Sequence, residues 1–352
     1  MCRIVVCFLI SCFCCNTLLG SPQWMLDQIA QDLAPFQNGI DEETLDLIMA
    51  EAYPNKGFIR VKIIDGDIST ITHSERANQT QRISKWLNNL QKKRSLPDVD
   101  FIISMHDSHS SFEPLNDKID PVFYFSKNKN QLGDILIPDH YALNGYSSLT
   151  KQIQKGMKAW PWGAKIEIAF WRGSTTGGDY NLIDWKKMPR TQLVMLSREN
   201  PLVVDARFTG FCQGADKNPE MLENTWLLAK KVSEADSLQY KYLVDIDGNT
   251  CGWNRLYWTL LSNSVVFKQQ SDNIEWYYGI LTPYKHFIPI AHDCNDLIDQ
   301  VAWAKSHDDE CRKIAEEATR FALKNLNEDA IYEYFYLVLL KYAELLNFQP
   351  HK

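Results

Sequence analysis

Residues 240–268 constrain this chain more than any other stretch. Residues 240–248 (YKYLVDIDG) read as a strand with a charged, glycine-terminated tip. Residues 253–262 carry apolar side chains at helical intervals, and residues 264–268 (SVVFK) return as a β-branched strand. Strand, helix and strand in quick succession predict parallel pairing, with the helix on one face of the sheet. Ligands of such sheets sit beyond the carboxyl ends of the strands. The tips are therefore where chemistry is expected.

The same alternation runs through most of the 352 residues. Strands are expected at 58–64, 99–105, 121–127, 134–139, 166–171, 202–208 and 287–290. Asp65-Gly66-Asp67 is a turn signal, with a hairpin strand returning to Thr72. Helices are expected within 22–56 and over 74–93, 190–199 and 219–232. Residues 295–346 read as helical, with breaks near 307–309 and 325–327. The aromatic positions Tyr332, Tyr334, Phe335 and Tyr336 on this segment suit a core. Residues 139–164 contain Gly145, Gly156 and Trp160-Pro161-Trp162-Gly163, and read as a loop-rich join between two α/β halves.

Composition narrows the partners. The chain is 45% hydrophobic, enough for a sizeable core, and its net charge of −7 disfavours nucleic-acid binding through a global basic field. A local basic pocket for a phosphorylated small molecule is compatible with that charge. Met1-Cys2-Arg3, an apolar run to Cys15 and a small-residue site near Gly20 together read as a signal peptide over residues 1–20. An exported or secretory-pathway protein is therefore expected. An uncleaved signal serving as a membrane anchor is the second reading. Removal of this segment leaves Cys212, Cys251, Cys294 and Cys311. They could form two disulfides in any of three pairings, or remain free buried thiols. None of the four is spaced as CxxC and no HExxH occurs, so no metal site is expected. Asn78-Gln79-Thr80 is a glycosylation sequon in a eukaryotic secretory setting.

Two strand ends carry candidate chemistry. Residues 165–180 (KIEIAFWRGSTTGGDY) read as a strand near a sheet edge, then a turn and the start of a helix. Arg172, Gly173, Ser174, Thr175, Thr176, Gly177 and Gly178 supply a cation, three hydroxyls and three glycines. Such a loop can gather a guanidinium, hydroxyls and backbone N–H groups on one anionic oxygen cluster. A plain polar turn with a capping Ser or Thr is the alternative. Residues 99–105 end at His106-Asp107-Ser108-His109, where an Asp or His could act as a general base or merely open a loop.

Three stretches in order carry a family resemblance: FWRGSTTGG at 170–178, KYLVDIDGNTCGWNRLYWTLLSNSVVFKQ at 241–269 and YYGILTPYKHFIPI at 277–290. With FIISMHD, PVFYFSK and DARFTG, they resemble glycosyltransferase family 90, over roughly residues 95–325. That family includes capsule-associated proteins, protein O-glucosyltransferases and lipopolysaccharide-modifying proteins. The resemblance implies a GT-B-like α/β fold: two Rossmann-like domains facing a cleft, with a helical C-terminal segment. It places an acceptor-side domain at 21–164, a nucleotide-sugar-binding domain at 165–325, and a C-terminal helix within 326–352 packing back on the first domain. It further implies inverting transfer of glucose or xylose from a UDP-sugar to a hydroxyl, with no cofactor and no metal. Asp107 matches the catalytic base. Arg172, Gly173, Ser174, Thr175, Asp247, Gly248, Gly252 and Arg255 match the donor site, Arg255 as the diphosphate cation. For Arg172, phosphate contact and a carboxylate pair both stay open. Asp245-Ile246-Asp247 is read as donor-site architecture rather than a metal clamp.

The sequence departs from the protein O-glucosyltransferase pattern in two places. The Arg-Gly-Ser stretch runs on as Thr175-Thr176-Gly177-Gly178, with no second Arg. The turn after Gly248 is bulky, Asn249 to Asn254. With no retention tetrapeptide at the end, these features point to a glycan acceptor such as lipopolysaccharide or capsule, with a protein Ser as the alternative. Peripheral membrane association through the acceptor or the uncleaved signal is compatible with both, and a silent sugar- or nucleotide-binding module on the same fold is the reading from another class.

Overall fold

The computed structural model describes residues 20–51, 57–72, 77–107 and 119–351. The signal segment lies almost wholly outside the described residues, as do Ser108 and His109. Among the described residues no helix is long and apolar enough to cross a membrane.

The first half begins with α1 (Gln23–Leu33) and α2 (Glu42–Glu51), followed by β1 (Phe58–Ile64) and β2 (Asp67–Ile71). Asp65 and Gly66 both take positive φ (53° and 82°), the backbone that a tight two-residue hairpin needs. Then come α3 (Ala77–Gln91), β3 (Val99–Ser104), β4 (Val122–Tyr124), β5 (Lys127–Asn128) and β6 (Asp134–Leu136). The sheet order is β2-β1-β3-β4-β6. β3 is buried along its whole length. Asp100 survives there because Arg60 on β1 grips it with two nitrogens, at 2.8 and 2.7 Å. This sheet is mixed rather than parallel throughout: β1 runs antiparallel to both β2 and β3. Strand-like patterning gives burial, not direction, so the alternation could not distinguish the two.

The expected loop-rich join is largely helical: α4 (His140–Asn144) and α5 (Ser147–Ala159) fill it. Asp139 caps α4 by accepting from the N–H groups of Tyr141 and Ala142. Gly156 is a packing glycine rather than a breaker. A side chain there would meet the Ala235 carbonyl at 2.9 Å.

The second half holds β7 (Ile166–Ser174), α6 (Pro189–Glu199), β8 (Val204–Gly210), α7 (Pro219–Glu223), α8 (Glu234–Ser237), β9 (Tyr240–Asp245), α9 (Asn254–Leu261), β10 (Val265–Gln269), β11 (Asn273–Ile274) and β12 (Ile288–Ile290). Its main sheet, β12-β10-β9-β7-β8, is parallel throughout. β7 lies inside the sheet, between β8 and β9, not at its edge. Only its start is exposed. The turn after Ser174 does not open a helix directly; an irregular loop intervenes, and α6 begins only at Pro189. The helix expected over 219–232 stops at Glu223. Beyond it the chain extends along β8, where the Ala229 N–H donates to the Phe208 carbonyl at 2.8 Å.

α10 (Leu297–Ser306), α11 (Asp308–Asn325) and α12 (Glu328–Ala343) close the chain. α12 packs on α1, α4 and β3. The Tyr342 ring meets Phe123 edge-on at 5.0 Å, and its hydroxyl donates to the Pro121 carbonyl. One apolar cluster joins the first sheet to α9, α11 and α12, while a second fills the other face of the parallel sheet. A two-strand ladder, β5 with β11, also ties the halves together. All four described cysteines are free.

Candidate functional site

The C-terminal ends of β3, β7 and β9 converge on a cleft of about 540 Å³. From the first half come Asp107 and Tyr141. From the second come Arg172, Ser174, Arg190, Asn249 and Arg255, with Lys231 at the rim. Seven of the nine sequence-derived site residues line it: Asp107, Arg172, Gly173, Ser174, Gly248, Gly252 and Arg255.

Asp107 lies three residues past the end of β3. Its carbonyl accepts from Ser126 Oγ at 2.7 Å, fixing the backbone. Its Oδ2 accepts from Asn249 Nδ2 at 2.8 Å. Among the described residues nothing bonds its other oxygen.

Arg172 resolves toward its structural role. Its guanidinium lies over the Phe170 ring at 4.5 Å and pairs with Asp205 Oδ2 at 2.9 Å. Arg255 is less committed. It is the second residue of α9, between the Trp171 and Trp258 rings at 5.8 and 6.0 Å, and donates to the Arg172 carbonyl. Burial pulls its pKa down, while Asp245 and Glu234 oppose that shift. Asp245 is itself buried beneath the turn, with neither carboxyl oxygen hydrogen-bonded among the described residues, and burial raises its pKa.

The turn between β9 and α9 needs its glycines. A Cβ on Gly248 would lie 2.8 Å from both Arg190 Nη2 and Thr176 Oγ1; one on Gly252 would lie 2.3 Å from Asp245 Oδ1. Trp253, which caps α9, takes φ 55° and ψ −135°, a backbone rarely adopted by a bulky residue. That strain sits on the cleft wall.

Thr175 and Asp247 stand apart from the cleft, contrary to expectation. Thr175 is fully buried, and its hydroxyl donates to the Cys212 carbonyl and accepts from the Cys212 N–H. The strand's alternation turns it away from the side Ser174 faces. Asp247 directs its carboxylate behind the turn, where Ser271 Oγ and Asn273 Nδ2 donate to it at 2.5 and 2.8 Å.

Two residues that bind the site together escaped the sequence reading. Arg190, on α6, donates to the carbonyls of Asp247 (2.7 Å) and Ser174 (2.9 Å), joining the tips of β7 and β9. Burial and the neighbouring Arg255 lower its pKa to about 10, so it stays cationic at neutral pH. Asn249 is the other. Its Oδ1 accepts from Gly177 N–H at 3.1 Å and Gln213 Nε2 at 2.7 Å. With the oxygen so engaged, its NH2 group must face Asp107. Asn249→Ala is expected to lower turnover roughly tenfold, since a misaligned group loses proximity and orientation, while titration calorimetry shows UDP affinity unchanged within about twofold. Unaltered turnover would remove Asn249 from the site's alignment.

The two α/β halves thus place an acid on one wall of the cleft and guanidinium groups with glycine turns on the other. Residues 21–352 match the model of Glycosyl transferase family 90, and the chain belongs to that family. It is 30% identical over 329 residues to protein O-glucosyltransferase 2 of Danio rerio, covering 92% of this chain and 63% of the relative. It is 34% identical over 265 residues to protein O-glucosyltransferase 3 of Mus musculus, covering 73% and 50%. The chain thus spans between half and two thirds of these relatives. Protein O-glucosyltransferase 1 of Homo sapiens is 26% identical over 338 residues, covering 91% of this chain and 80% of the relative. Among solved structures, Anabaena Alr3699/HepE in complex with UDP-glucose aligns at 12% identity and a TM-score of 0.35, over 55% of this chain and 52% of that one. That likeness is too slight to define fold or ligand.

Proposed function

We propose that this chain transfers a sugar, glucose foremost, from a UDP-sugar to a hydroxyl acceptor with inversion, Asp107 serving as general base. The observation that supports this reading is the shared cleft: Asp107 faces the same space as Ser174, Arg190 and Arg255 across the two halves. In a single displacement the acceptor oxygen attacks the anomeric carbon as its proton passes to Asp107 Oδ1. The bond from that carbon to the diphosphate oxygen breaks, and UDP leaves with inversion. One base suffices for this step. The leaving diphosphate gains negative charge, and fixed cations stabilise it. Arg255 and Lys231 have nitrogens to offer it, while Arg190 holds the tips that shape the pocket. No metal takes part in this reading.

The names of the relatives favour a protein hydroxyl and glucose. The altered loop at residues 175–178 favours a glycan such as lipopolysaccharide or capsule. One experiment separates them: UDP release from UDP-glucose and UDP-xylose, with folded protein domains and with glycan acceptors, each product weighed by mass spectrometry. The enzyme reading expects release above the background of Asp107→Asn with at least one pair. Binding of UDP with no release from any pair would leave a sugar- or nucleotide-binding module.

A further inference from the structure

The parallel sheet has a second opening beside the first, a cleft of about 770 Å³ beyond the ends of β10 and β12. It shares no lining residue with the cleft that holds Asp107. Its volume falls in the range of small-molecule sites. One wall is apolar: Tyr278, Leu281, Phe287 and Pro289. At its base sits Lys268, only 7% exposed.

Lys268 is the unusual member. Among the described residues it donates no hydrogen bond and forms no ion pair; its ammonium lies 4.6 Å from the centre of the Tyr278 ring. Its strand neighbour Asp245 and the nearby Glu275 attract its charge, which opposes the upward push of burial on both carboxyls, but among the described residues neither carboxylate hydrogen-bonds it. Several of the polar groups around the opening are already committed. Gln269 bonds the Asp247 N–H and the His292 carbonyl, and Ser271 and Asn273 hold the Asp247 carboxylate. Lys129 at the rim pairs with Asp272 at 2.8 Å. Lys268 is thus a cation at the cleft whose hydrogen bonds are still to be made.

We propose that this second cleft binds an anionic sugar ring, a uronic acid, with its carboxylate on Lys268 and its C–H face against Tyr278 and Phe287. A carboxylate would give the Lys268 ammonium a charge-assisted hydrogen bond. Half-buried ring and proline faces accept the apolar face of a pyranose. The two clefts meet at Asp247. Its carboxylate is held by residues lining the second, while its carbonyl takes the Arg190 guanidinium that lines the first. An occupant of the second cleft would steady the turn that carries Gly248 and Asn249.

Titration calorimetry on the full chain at pH 7 tests this with glucuronic acid, glucose and inorganic phosphate as probes. Glucuronic acid is expected to bind at least roughly tenfold more tightly than glucose or phosphate, and saturating UDP leaves that binding in place. Lys268→Gln should bring glucuronic acid to the level of glucose. Because Lys268 is buried, its variant is checked by thermal melting. Phe287→Ala, on the half-exposed wall, provides a second variant and should weaken binding about fivefold. Glucose binding as tightly as glucuronic acid would overturn the charge recognition, and phosphate doing so would overturn the ring recognition. Displacement by UDP would put the probe in the first cleft and overturn the proposal, as would indifference to both variants.

Discussion

Asp107→Asn is expected to lower sugar transfer by a factor of about 10² to 10⁴ while UDP affinity stays within about twofold of wild type. The substitution keeps the side chain's size. Its Oδ can still accept from Asn249 Nδ2, which donates at 2.8 Å in the parent, and the Ser126 hydroxyl still holds the backbone carbonyl. The geometry therefore survives. What disappears is the basic oxygen that takes the acceptor's proton. UDP affinity is set on the opposite wall, so binding and turnover should separate. The measurement pairs initial rates of UDP release with calorimetric UDP titration on the same preparations. Transfer at the wild-type rate would dismiss Asp107 as the base; loss of UDP binding along with rate would mean that the substitution had disturbed the cleft as a whole.

Much of the scaffold was legible because burial imposes short-range pattern. β9, α9 and β10 announce themselves by apolar runs of strand and helix length, and β10 is buried at every position. Arg255 follows, since a cation in the first turn of the helix after a strand tip lies near that tip. Pattern fails where a residue's meaning depends on distant partners. Arg190 is 57 residues from Asp247 in sequence and Asn249 is 142 from Asp107, yet these contacts tie the cleft together. Nothing local marks Arg190, the second residue of an ordinary helix. Thr175 and Asp247 show a different limit. Both sit beside cleft residues in sequence, but Thr175 turns its hydroxyl onto Cys212 and Asp247 its carboxylate onto Ser271 and Asn273, so being next to a site residue is weak ground for being in the site. Gly156 misled in the same manner, because glycine in a helix can serve close packing as well as termination.

The two guanidinium groups should respond differently to mutation, and this contrast assigns their roles. Arg190→Met removes the donor that holds the carbonyls of Ser174 and Asp247, with a longer bond to Ile246 at 3.4 Å. These carbonyls are half-buried at the tips of β7 and β9, and each one left unsatisfied costs up to about 1–3 kcal/mol. Loss of about 2–4 kcal/mol of stability is expected in urea unfolding, together with weaker UDP binding because the tips of β7 and β9 are no longer held in register. Arg190→Lys keeps the charge but cannot span two carbonyls at Arg190's geometry, so it should recover only part of that stability. Arg255 donates to a single carbonyl, that of Arg172, and its remaining N–H groups are available to the diphosphate. Arg255→Ala is therefore expected to weaken UDP roughly 10- to 100-fold, the loss of one or two charge-assisted bonds, with a smaller fall in stability than Arg190→Met produces. If Arg255→Ala left UDP affinity intact while Arg190→Met lowered it with no loss of stability, the roles would be reversed: Arg190 would be the diphosphate cation and Arg255 the residue that fixes the scaffold.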